Sequence, residues 1–362
     1  FGNAYFQMNQ RRGVRWNATK AYLRPAENRP NLTVLSNVLV EKVELNNSGQ
    51  RPRATGVKIR RADKSSTIFK ADQEVLLSAG AIGSPQILQL SGIGSSELLG
   101  SRNIPIRVDL RGVGENLQDH LQVRSVYQVE NTVTLNQKAG SLIGKALMGL
   151  EYFFFKTGPL TMPPSQLGAF AKSDPNRSTA NIEWHVQPLS LDKFGDPLHK
   201  FNAITPSVCN LRPTSRGQVR IKSNDPEEHP TIRLNYLSTS EDEEVAVEGL
   251  RFTRRIMRAE ALKKFNPVEL KPGAEIQTDT QLLEAARDLG TTIFHPVGTC
   301  KMGSDESAVV NDRLEVHGVA NLRVIDASIM PTITSGNTNA PTVMIAEKGA
   351  KFVLEKSAEN YT

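Results

Sequence analysis

The sequence predicts an α/β plus α+β protein, in which a nucleotide-binding α/β domain is combined with a domain built on an antiparallel sheet. Residues 74–78 form a short apolar run that ends in a glycine turn and is followed by a helix-like segment. The stretch 121–234 is instead punctuated by prolines, and within it residues 218–222 alternate between polar and apolar side chains, as a half-exposed antiparallel strand should. With 362 residues, the chain is long enough for two domains.

The first part of the chain predicts strands followed by a capped helix. Apolar and β-branched residues predict four strands, at residues 31–45, 55–61, 67–69 and 74–78. After the last of them, Ser84 and Pro85 suit the N-cap and the first turn of a helix that continues to Leu90. Gly92 suits the end of that helix. A buried strand, a glycine turn and a capped helix in succession are typical of a nucleotide-binding layer.

The later part of the chain predicts two helices. Ser240 and Glu243 have capping-box spacing, and apolar residues behind them outline one face of a helix. A second apolar helix is predicted at about residues 343–354. Before both of these helices, residues 142–155 form an apolar segment. The aromatic residues of this segment, together with Trp16 and Trp184, are candidates for a core or for an apolar pocket.

Composition and charge exclude several function classes. Two cysteines cannot form a disulfide scaffold, and no cysteine–histidine spacing indicates a metal, so no metal site is predicted. The net charge of +6 is modest and the arginine clusters are not interleaved with aromatic residues, so no nucleic acid is expected as a partner. No run of 18 apolar residues indicates a transmembrane segment.

The beginning of the chain carries no targeting signal. Phe1 is not an initiator, and the residues after it form neither a charged nor an apolar signal region. We therefore expect the chain to begin inside a longer protein, where a preceding signal peptide would not be visible. A cytoplasmic location is the expectation on this basis.

Two glycine-rich stretches, residues 80–94 and 112–120, are the first of three regions that are dense in special residues. Glycine permits tight turns and a close backbone approach to a ligand. Taken alone, such stretches more often form loops around a short helix. Neither has G-x-G-x-x-G spacing in a strand-to-helix turn, so no dinucleotide fingerprint is present in the chain.

The other two regions contain candidate catalytic and anion-binding groups. His295 precedes a proline in the irregular segment 294–303, where a side chain on a loop can take a catalytic role. A buried strand then ends at Asp326, and Asn337, Thr338 and Asn339 precede a helix, whose free N–H groups favour an anion. A structural histidine and ordinary N-capping by Asn339 are the alternative interpretations.

Together these regions resemble the glucose–methanol–choline (GMC) oxidoreductase family of FAD-dependent alcohol oxidases and dehydrogenases. Residues 80–94 match the second signature of that family, and residues 112–120 resemble its G-V-G-x-N-L-x-D-H segment. Arg216 to Arg220 with Pro230 and Tyr236 resembles another block, and residues 295–303 and 326–342 resemble its C-terminal catalytic blocks. The matches follow the family order over nearly the whole chain.

The resemblance implies FAD as cofactor and assigns site residues by position. His295 corresponds to the catalytic histidine of the family, and Asn337 to the second member of the catalytic pair. The cofactor contacts are implied for Val40, Phe294, Asp326, Ala327, Asn337 and Thr338. The implied fold is a Rossmann-like FAD-binding domain at residues 16–119 and 310–362, with an antiparallel-sheet substrate domain at residues 1–15 and 120–309.

The resemblance has one large gap. The family's N-terminal G-x-G-x-x-G βαβ unit and first signature have no counterpart here, so the FAD-binding domain is expected to be incomplete and to need a missing N-terminal segment. The chain then corresponds to about the last two-thirds of such an enzyme, either as a fragment or as one part of a split protein. Another difference is Asn17, where relatives usually have Ser.

The implied reaction is the oxidation of a primary alcohol, aliphatic or aryl, to the aldehyde by hydride transfer to flavin N5. A neutral histidine suits removal of the hydroxyl proton, and an amide can bind the substrate oxygen without competing for that proton. The electron acceptor is expected to be oxygen or another acceptor. Two alternatives remain open: a cyanohydrin lyase on the same fold, and a non-catalytic subunit that completes an FAD enzyme.

Overall fold

The protein folds into two compact units, each assembled from three separate stretches of the chain. The computed structural model describes residues 2–46, 49, 51–193 and 195–359. Unit 1 comprises Phe1–Val34, Leu121–Leu211 and Ser240–Thr292, and unit 2 comprises Leu35–His120, Arg212–Thr239 and Ile293–Thr362.

The strands and helices alternate irregularly along the chain. In chain order, the strands are β1 Gly2–Tyr5, β2 Gln10–Arg11, β3 Val14–Arg15, β4 Val38–Asn46, β5 Arg53–Arg61, β6 Ser66–Lys70, β7 Val75–Leu77, β8 Ile93–Gly94, β9 Val108–Asp109, β10 Leu121–Arg124, β11 Val126–Gln128, β12 Leu167–Ala171, β13 Ile182–Gln187, β14 Ala203–Asn210, β15 Gln218–Arg220, β16 Thr231–Arg233, β17 Val268–Lys271, β18 Gly290–Thr292 and β19 Leu322–Val324. The α-helices are α1 Arg24–Ala26, α2 Gly80–Leu90, α3 Ser96–Ser101, α4 Leu135–Lys138, α5 Leu142–Phe155, α6 Ser240–Met257, α7 Asp279–Leu289 and α8 Asn339–Glu359. A π-helical turn at Thr19–Leu23 and 3₁₀ turns at Pro159–Thr161, Glu260–Phe265 and Ala327–Ile329 complete the described elements.

Unit 1 is organised around an antiparallel sheet. Its main strand order is β1-β12-β13-β14-β10-β18, and β11 joins β14 to β17. Helix α6 packs on one face: the indole of Trp184 donates to Thr253 at 2.8 Å, and a Cβ added to Gly249 would lie 3.1 Å from Val208. The absence of a side chain at Gly249 therefore allows the helix to approach the sheet closely.

The aromatic residues that were candidates for a core or a pocket lie in different environments of unit 1. Trp184 is buried and contacts Phe252, whereas Trp16 is half-buried beneath the guanidinium of Arg11. The rings at positions 153–155, at the end of α5, are exposed. Only Trp184 among these residues is therefore a core residue in the described chain.

Unit 2 combines a three-stranded antiparallel sheet, β4-β5-β6, with a parallel pair formed by β7 and β19. Helix α2 directly follows β7, so a parallel strand, a turn and a helix occur in the order typical of a nucleotide-binding layer. Buried apolar residues from these elements form one core; they include Val43, Leu77, Leu88, Val113, Val297, Leu322, Val324, Ile325 and Ile345. The fold is thus mixed α/β with antiparallel sheets, as the sequence predicts.

Several predicted boundaries are wrong. Strand β4 begins at Val38 rather than at residue 31, because the chain before it is exposed and pairs with no strand in the described residues. Helix α2 begins at Gly80, so Ser84 lies inside the helix and is not its N-cap. Helix α8 spans Asn339–Glu359 and is longer than predicted. It begins before residue 343, and a proline lies in its first turn, a position that suits this residue.

The compact units are divided differently from the predicted domains. Residues 16–34 belong to unit 1, and residues 212–239 and 293–309 belong to unit 2. The strand predicted at residues 218–222 forms β15 at Gln218–Arg220, which pairs with β16 within unit 2. The assignment of FAD-binding and substrate-binding roles to particular residue ranges stays a prediction.

None of the helices in the described part of the chain combines the length and the apolar character that crossing a membrane requires.

A buried carboxylate in the sheet of unit 2 predicts a pH dependence of stability. Glu41 is 6% exposed and is contacted by Lys58, Arg60 and Ser66 on the neighbouring strands. Burial alone would raise the pKa of Glu41, but the hydrogen bonds from these three side chains outweigh it and lower the pKa to about 2. Because the folded-state pKa is below the unfolded value, Glu41 stabilises the fold above about pH 4.3 and loses this effect as the pH falls toward 2.

We therefore expect the unfolding free energy of E41Q to decrease less steeply than that of the wild type between pH 5 and pH 3. Urea denaturation at several pH values measures this difference. Glu97, an exposed residue on α3, provides the control E97Q, which should follow the wild-type slope. Parallel slopes for E41Q and wild type would contradict the assigned role of Glu41.

Candidate active site

Backbone pairing brings the predicted catalytic histidine next to a second histidine. Gln118 and Val297 exchange two backbone hydrogen bonds, with N–O distances of 3.0 and 2.9 Å, and Ile293 donates to the carbonyl of His120 at 3.3 Å. The segments before β10 and after β18 therefore run side by side within unit 2. This pairing fixes the irregular, proline-containing segment that carries His295.

The carboxylate of Asp119 anchors the cluster. Its Oδ1 accepts hydrogen bonds from the backbone N–H groups of His120 and His295, both at 2.9 Å. Its Oδ2 accepts the phenolic hydroxyl of Tyr236 at 2.5 Å. Asp119 is 4% exposed, and a buried carboxylate is tolerated where several donors satisfy it. Two of these hydrogen bonds hold the backbones of both histidines in place, and the third joins Tyr236 to the same carboxylate.

The side chains of His120, His295 and Asn337 form a chain of polar contacts. The Nδ1 atoms of the two imidazoles are 3.0 Å apart, and Nδ2 of Asn337 lies 3.4 Å from Nε2 of His295. Nε2 is therefore the ring atom of His295 that faces Asn337, and Nδ1 is the ring atom that faces His120. An imidazole nitrogen can accept or donate a hydrogen bond, depending on its tautomer.

Nε2 of His295 lies at the edge of the cluster. His120 is fully buried and His295 is 9% exposed, whereas Asn337 is exposed. A ligand oxygen that approaches Asn337 would meet both the amide and Nε2 of His295. A neutral imidazole in this position is suited to accept a proton.

Phe294 presents an exposed ring directly beside this histidine. Its φ angle is 65° and its side chain position is 70% exposed. A non-glycine residue in the left-handed region is strained, and such residues persist where the surrounding structure fixes them, often at functional sites. The paired segments around His295 supply that constraint here. An exposed aromatic ring in this position is suited to contact a flat ligand.

The segment after His295 lies along the turn that follows β19. Cys300 and Met302 donate to the carbonyls of Ser328 and Ile329, both at 2.8 Å, and Gly298 donates to that of Ala327 at 3.4 Å. Ala327 is half-buried in this arrangement. The structure therefore brings Ala327 to the same region of unit 2 as His295.

Asp326 uses its carboxylate within the protein. It accepts hydrogen bonds from the backbone of Gly80 at 2.9 Å, from Oγ of Ser84 at 2.5 Å and from the backbone of Ser328 at 2.8 Å. Gly80 has a φ angle of 78°, which a side-chain-bearing residue rarely adopts. Asp326 therefore joins the start of α2 to the turn after β19, and its side chain is occupied by these donors.

Thr338 and Val40 occupy the two remaining predicted positions. The carbonyl of Thr338 accepts the N–H of Thr342 at 3.0 Å, so Thr338 lies at the amino end of α8 beside Asn337. The N–H groups of the first turn of a helix lack partners within the helix and favour a negative charge. Val40 lies in β4, opposite Ile59, and is half-buried. It therefore belongs to a different element from the histidine cluster.

Asp119, His120 and Tyr236 were not predicted as site residues. All three residues were visible in the sequence as parts of motifs that resemble the family. Asp119 and His120 contact His295, and Tyr236 contacts Asp119. These contacts could not be derived from spacing, since the three chain segments are more than 50 residues apart.

Comparison with known families identifies the class of protein. Family models described as GMC oxidoreductase match residues 2–122, for the N-terminal domain, and residues 213–346, for the C-terminal domain. The chain belongs to the GMC oxidoreductase family. Because the N-terminal model matches from residue 2, the matches do not support the expectation of an incomplete FAD-binding domain with a missing N-terminal segment.

Among individual relatives, the chain is similar to enzymes named oxygen-dependent choline dehydrogenase. It is 42% identical over 347 residues to that of Escherichia coli O17:K52:H18 (strain UMN026), covering 96% of this chain and 62% of the relative. The protein of the same name from Escherichia coli O45:K1 (strain S88) is also 42% identical, with 61% of its length covered. The chain thus spans about three-fifths of the length of these curated relatives.

Solved structures show the same architecture. Pyridoxine 4-oxidase from Mesorbium loti superposes with a TM-score of 0.83 at 28% identity, covering 97% of this chain and 64% of that chain. A formate oxidase variant from Aspergillus oryzae RIB40, studied for its FAD modification, gives a TM-score of 0.86 at 25% identity, with coverages of 96% and 64%. The fold of this chain is therefore that of FAD-linked oxidases.

The Asp119 anchor generates a prediction for stability. Y236F removes the hydroxyl that donates to Asp119 and leaves a buried carboxylate with one donor fewer. A hydrogen bond to a charged group contributes about 1.5–3 kcal/mol, so we expect the unfolding free energy to decrease by about that amount. Urea denaturation measures the change.

The matched control is Y5F, because Tyr5 is 78% exposed at the edge strand β1 of unit 1. Y5F should change the unfolding free energy by less than about 0.5 kcal/mol. Equal stabilities of Y236F and Y5F would show that the tyrosine does not support the Asp119 cluster.

Proposed function

We propose that this chain provides the proton-transfer site of an FAD-dependent alcohol oxidoreductase that oxidises a primary alcohol to the aldehyde. The observation that carries the proposal is the contact between Asn337 and His295, which places Nε2 of a nearly buried imidazole 3.4 Å from an exposed amide. Membership of the GMC family and the FAD-linked structural relatives support the same reaction class.

The residues of unit 2 fit a flavin. The amino end of α8, with Asn337 and Thr338, offers N–H groups suited to the pyrimidine end of the ring. The exposed ring of Phe294 is suited to flank the isoalloxazine. Asp326 and Ala327 would contact the cofactor through their backbone N–H groups, because the carboxylate of Asp326 and the carbonyls of both residues already accept hydrogen bonds within the protein. Val40 would contribute a backbone contact to the adenine. When bound, FAD would accept the hydride from the alcohol carbon.

The chain's own residues would handle the hydroxyl proton. Nε2 of His295 would accept it, and the resulting positive charge would be shared through Nδ1 with His120, 3.0 Å away. Asp119 would keep the imidazole in position through its bond to the backbone of His295. General base catalysis by a positioned side chain contributes about 10²–10⁴-fold to a rate.

Asn337 would orient the alcohol. Its amide would donate to the substrate oxygen while the imidazole takes the proton, so the two groups would act on the same atom. An amide cannot compete for that proton at any working pH. This division of roles explains why a histidine and an asparagine occur together at the amino end of α8.

The alcohol and the electron acceptor are proposals drawn from relatives. The relatives named oxygen-dependent choline dehydrogenase make choline the first alcohol to test, followed by aliphatic and aryl primary alcohols. Oxygen is the first acceptor to test, and an artificial acceptor is the second. A cytoplasmic location stays a prediction from the sequence.

Visible absorption spectroscopy tests the proposed reaction. The purified protein, supplied with FAD, should show a flavin band that bleaches on anaerobic addition of choline or another primary alcohol. A flavin band that no alcohol bleaches would contradict the proposal and favour a redox-silent role of FAD, as in a cyanohydrin lyase.

The role of His295 gives a sharper prediction. H295A should lower the rate of substrate-driven flavin reduction by two or more orders of magnitude, since the proton acceptor is removed while the residues proposed to hold FAD remain. Stopped-flow absorbance measures the rate, and the flavin-to-protein ratio shows whether FAD is retained.

The exposed His229 of unit 2 provides the matched control. H229A should reduce its flavin at the wild-type rate. If H295A retains FAD and also reduces it at a near wild-type rate, His295 is not the proton acceptor.

A further inference from the structure

The sheet of unit 1 brings three potential metal ligands to one face. Glu183 and His185 are two positions apart on β13, so their side chains point to the same side of the sheet. In the β13–β14 register, Cys209 lies directly opposite Glu183 and Ser207 lies opposite His185. The alternate residue Trp184 points to the other face, toward α6.

The ligand atoms of these residues converge. One carboxylate oxygen of Glu183, one imidazole nitrogen of His185 and the sulfur of Cys209 all lie within 4.8 Å of one another. All three residues are buried, with exposures of 0%, 7% and 2%. Surface clusters of acidic residues are common without an ion, but a buried set of three different ligand types requires a specific explanation.

Two of the three residues have buried polar atoms without a hydrogen-bond partner. Both carboxylate oxygens of Glu183 and Nε2 of His185 are buried and have no such partner among the described residues. Nε2 of His185 lies 3.4 Å from Oε1 of Glu183, without the geometry of a hydrogen bond. A buried carboxylate is costly unless it is paired or coordinates a metal. A cation bound between these side chains would satisfy the carboxylate.

We propose that Glu183, His185 and Cys209 form a site for a divalent transition metal of the Zn²⁺ type. Zn²⁺ is bound by thiolate, imidazole and carboxylate ligands, and a carboxylate with a thiolate balances its two positive charges. Ligands around a tetrahedral Zn²⁺ lie about 3.5 Å apart, so small side-chain rotations would complete the site. The hydroxyl of Ser207, which has no hydrogen-bond partner in the described structure, or a water would take the fourth position.

Neighbouring residues position the imidazole. The ring of Phe6 stacks on that of His185, with centroids 4.7 Å apart and an interplanar angle of 23°. Gly168 lies opposite His185 on β12, and a Cβ there would be 2.6 Å from the Phe6 ring. The glycine thus makes room for the phenylalanine that holds the histidine. Such supporting contacts orient metal ligands in known sites.

One positive charge lies on the same face of the sheet. Arg124 on β10 is opposite Ser207 in the β10–β14 register, and its guanidinium donates to Gln187 at 3.3 Å. The carboxylate and the thiolate together balance the two charges of the metal, so they do not offset the charge of Arg124 as well. The test of the site requires neither FAD nor an alcohol.

Metal binding to the intact chain tests the proposal. The protein is treated with a chelator, dialysed, and titrated with Zn²⁺ in competition with a chromophoric chelator, and in parallel with Co²⁺. We expect one Zn²⁺ per chain, and a Co²⁺ complex with a thiolate charge-transfer band and tetrahedral d–d bands. An absence of stoichiometric binding by the folded wild-type protein would overturn the proposal.

Variants assign the ligands. C209S should abolish the thiolate band, and E183Q and H185Q should each weaken Zn²⁺ binding at least tenfold. The matched control is C300S, because Cys300 is the second cysteine of the sequence, is also buried and lies in unit 2. C300S should retain the band. Loss of the band in C300S, or its persistence in C209S, would overturn the assignment.

X-ray absorption spectroscopy of the Zn²⁺-loaded wild type provides a measurement that does not depend on the folding of variants. It should show one sulfur at about 2.3 Å together with nitrogen and oxygen ligands at about 2.0–2.2 Å. A first shell of oxygen and nitrogen alone would exclude Cys209 as a ligand and overturn the proposal.

Discussion

The buried carboxylate of Asp119 is the contact on which the candidate active site depends. Unit 2 is built from three separate stretches of the chain, and Asp119 bonds to one residue in each: His120, Tyr236 and His295. A single carboxyl group that accepts a hydrogen bond from each of these residues therefore joins the three stretches where the imidazoles meet. Because this anchor acts on the backbone of His295, the imidazole remains available for its contacts with His120 and Asn337.

Two of the buried carboxylates, those of Asp119 and Glu183, illustrate how hydrogen bonding separates a supporting group from a potential ligand. Asp119 has donors on both oxygens and holds a neighbouring histidine in place. Glu183 has no hydrogen-bond donor on either oxygen within the described residues, and it lies beside a histidine and a cysteine. The carboxylate of Asp119 thus completes a polar network in unit 2, whereas the carboxylate oxygens of Glu183 in unit 1 remain able to coordinate a metal. A buried carboxylate is costly in either arrangement unless its oxygens accept hydrogen bonds or bind a cation.

Local patterns predicted the elements whose neighbours in sequence are also their neighbours in space. The strands around residues 55–61 and 67–69, which pair with each other, were predicted closely, since alternation and turn residues act over a few positions. Ser84 was misread as an N-cap, because its hydroxyl bonds to Asp326, a residue 242 positions away. The strand predicted from residue 31 starts later for a similar reason: a strand needs a partner, and pairing with β5 begins at Val38.

The sequence by itself determined the mixed α/β fold with antiparallel sheets, the GMC family and the candidate pair His295 and Asn337, because ordered motifs along the chain carry this information. The tertiary structure decided which residues surround that pair and which atom of the imidazole faces Asn337. It also decided that Glu183, His185 and Cys209 meet in unit 1, although no metal-binding spacing is present. The physical reason is that strand register and long-range backbone pairing, rather than sequence spacing, bring these side chains together.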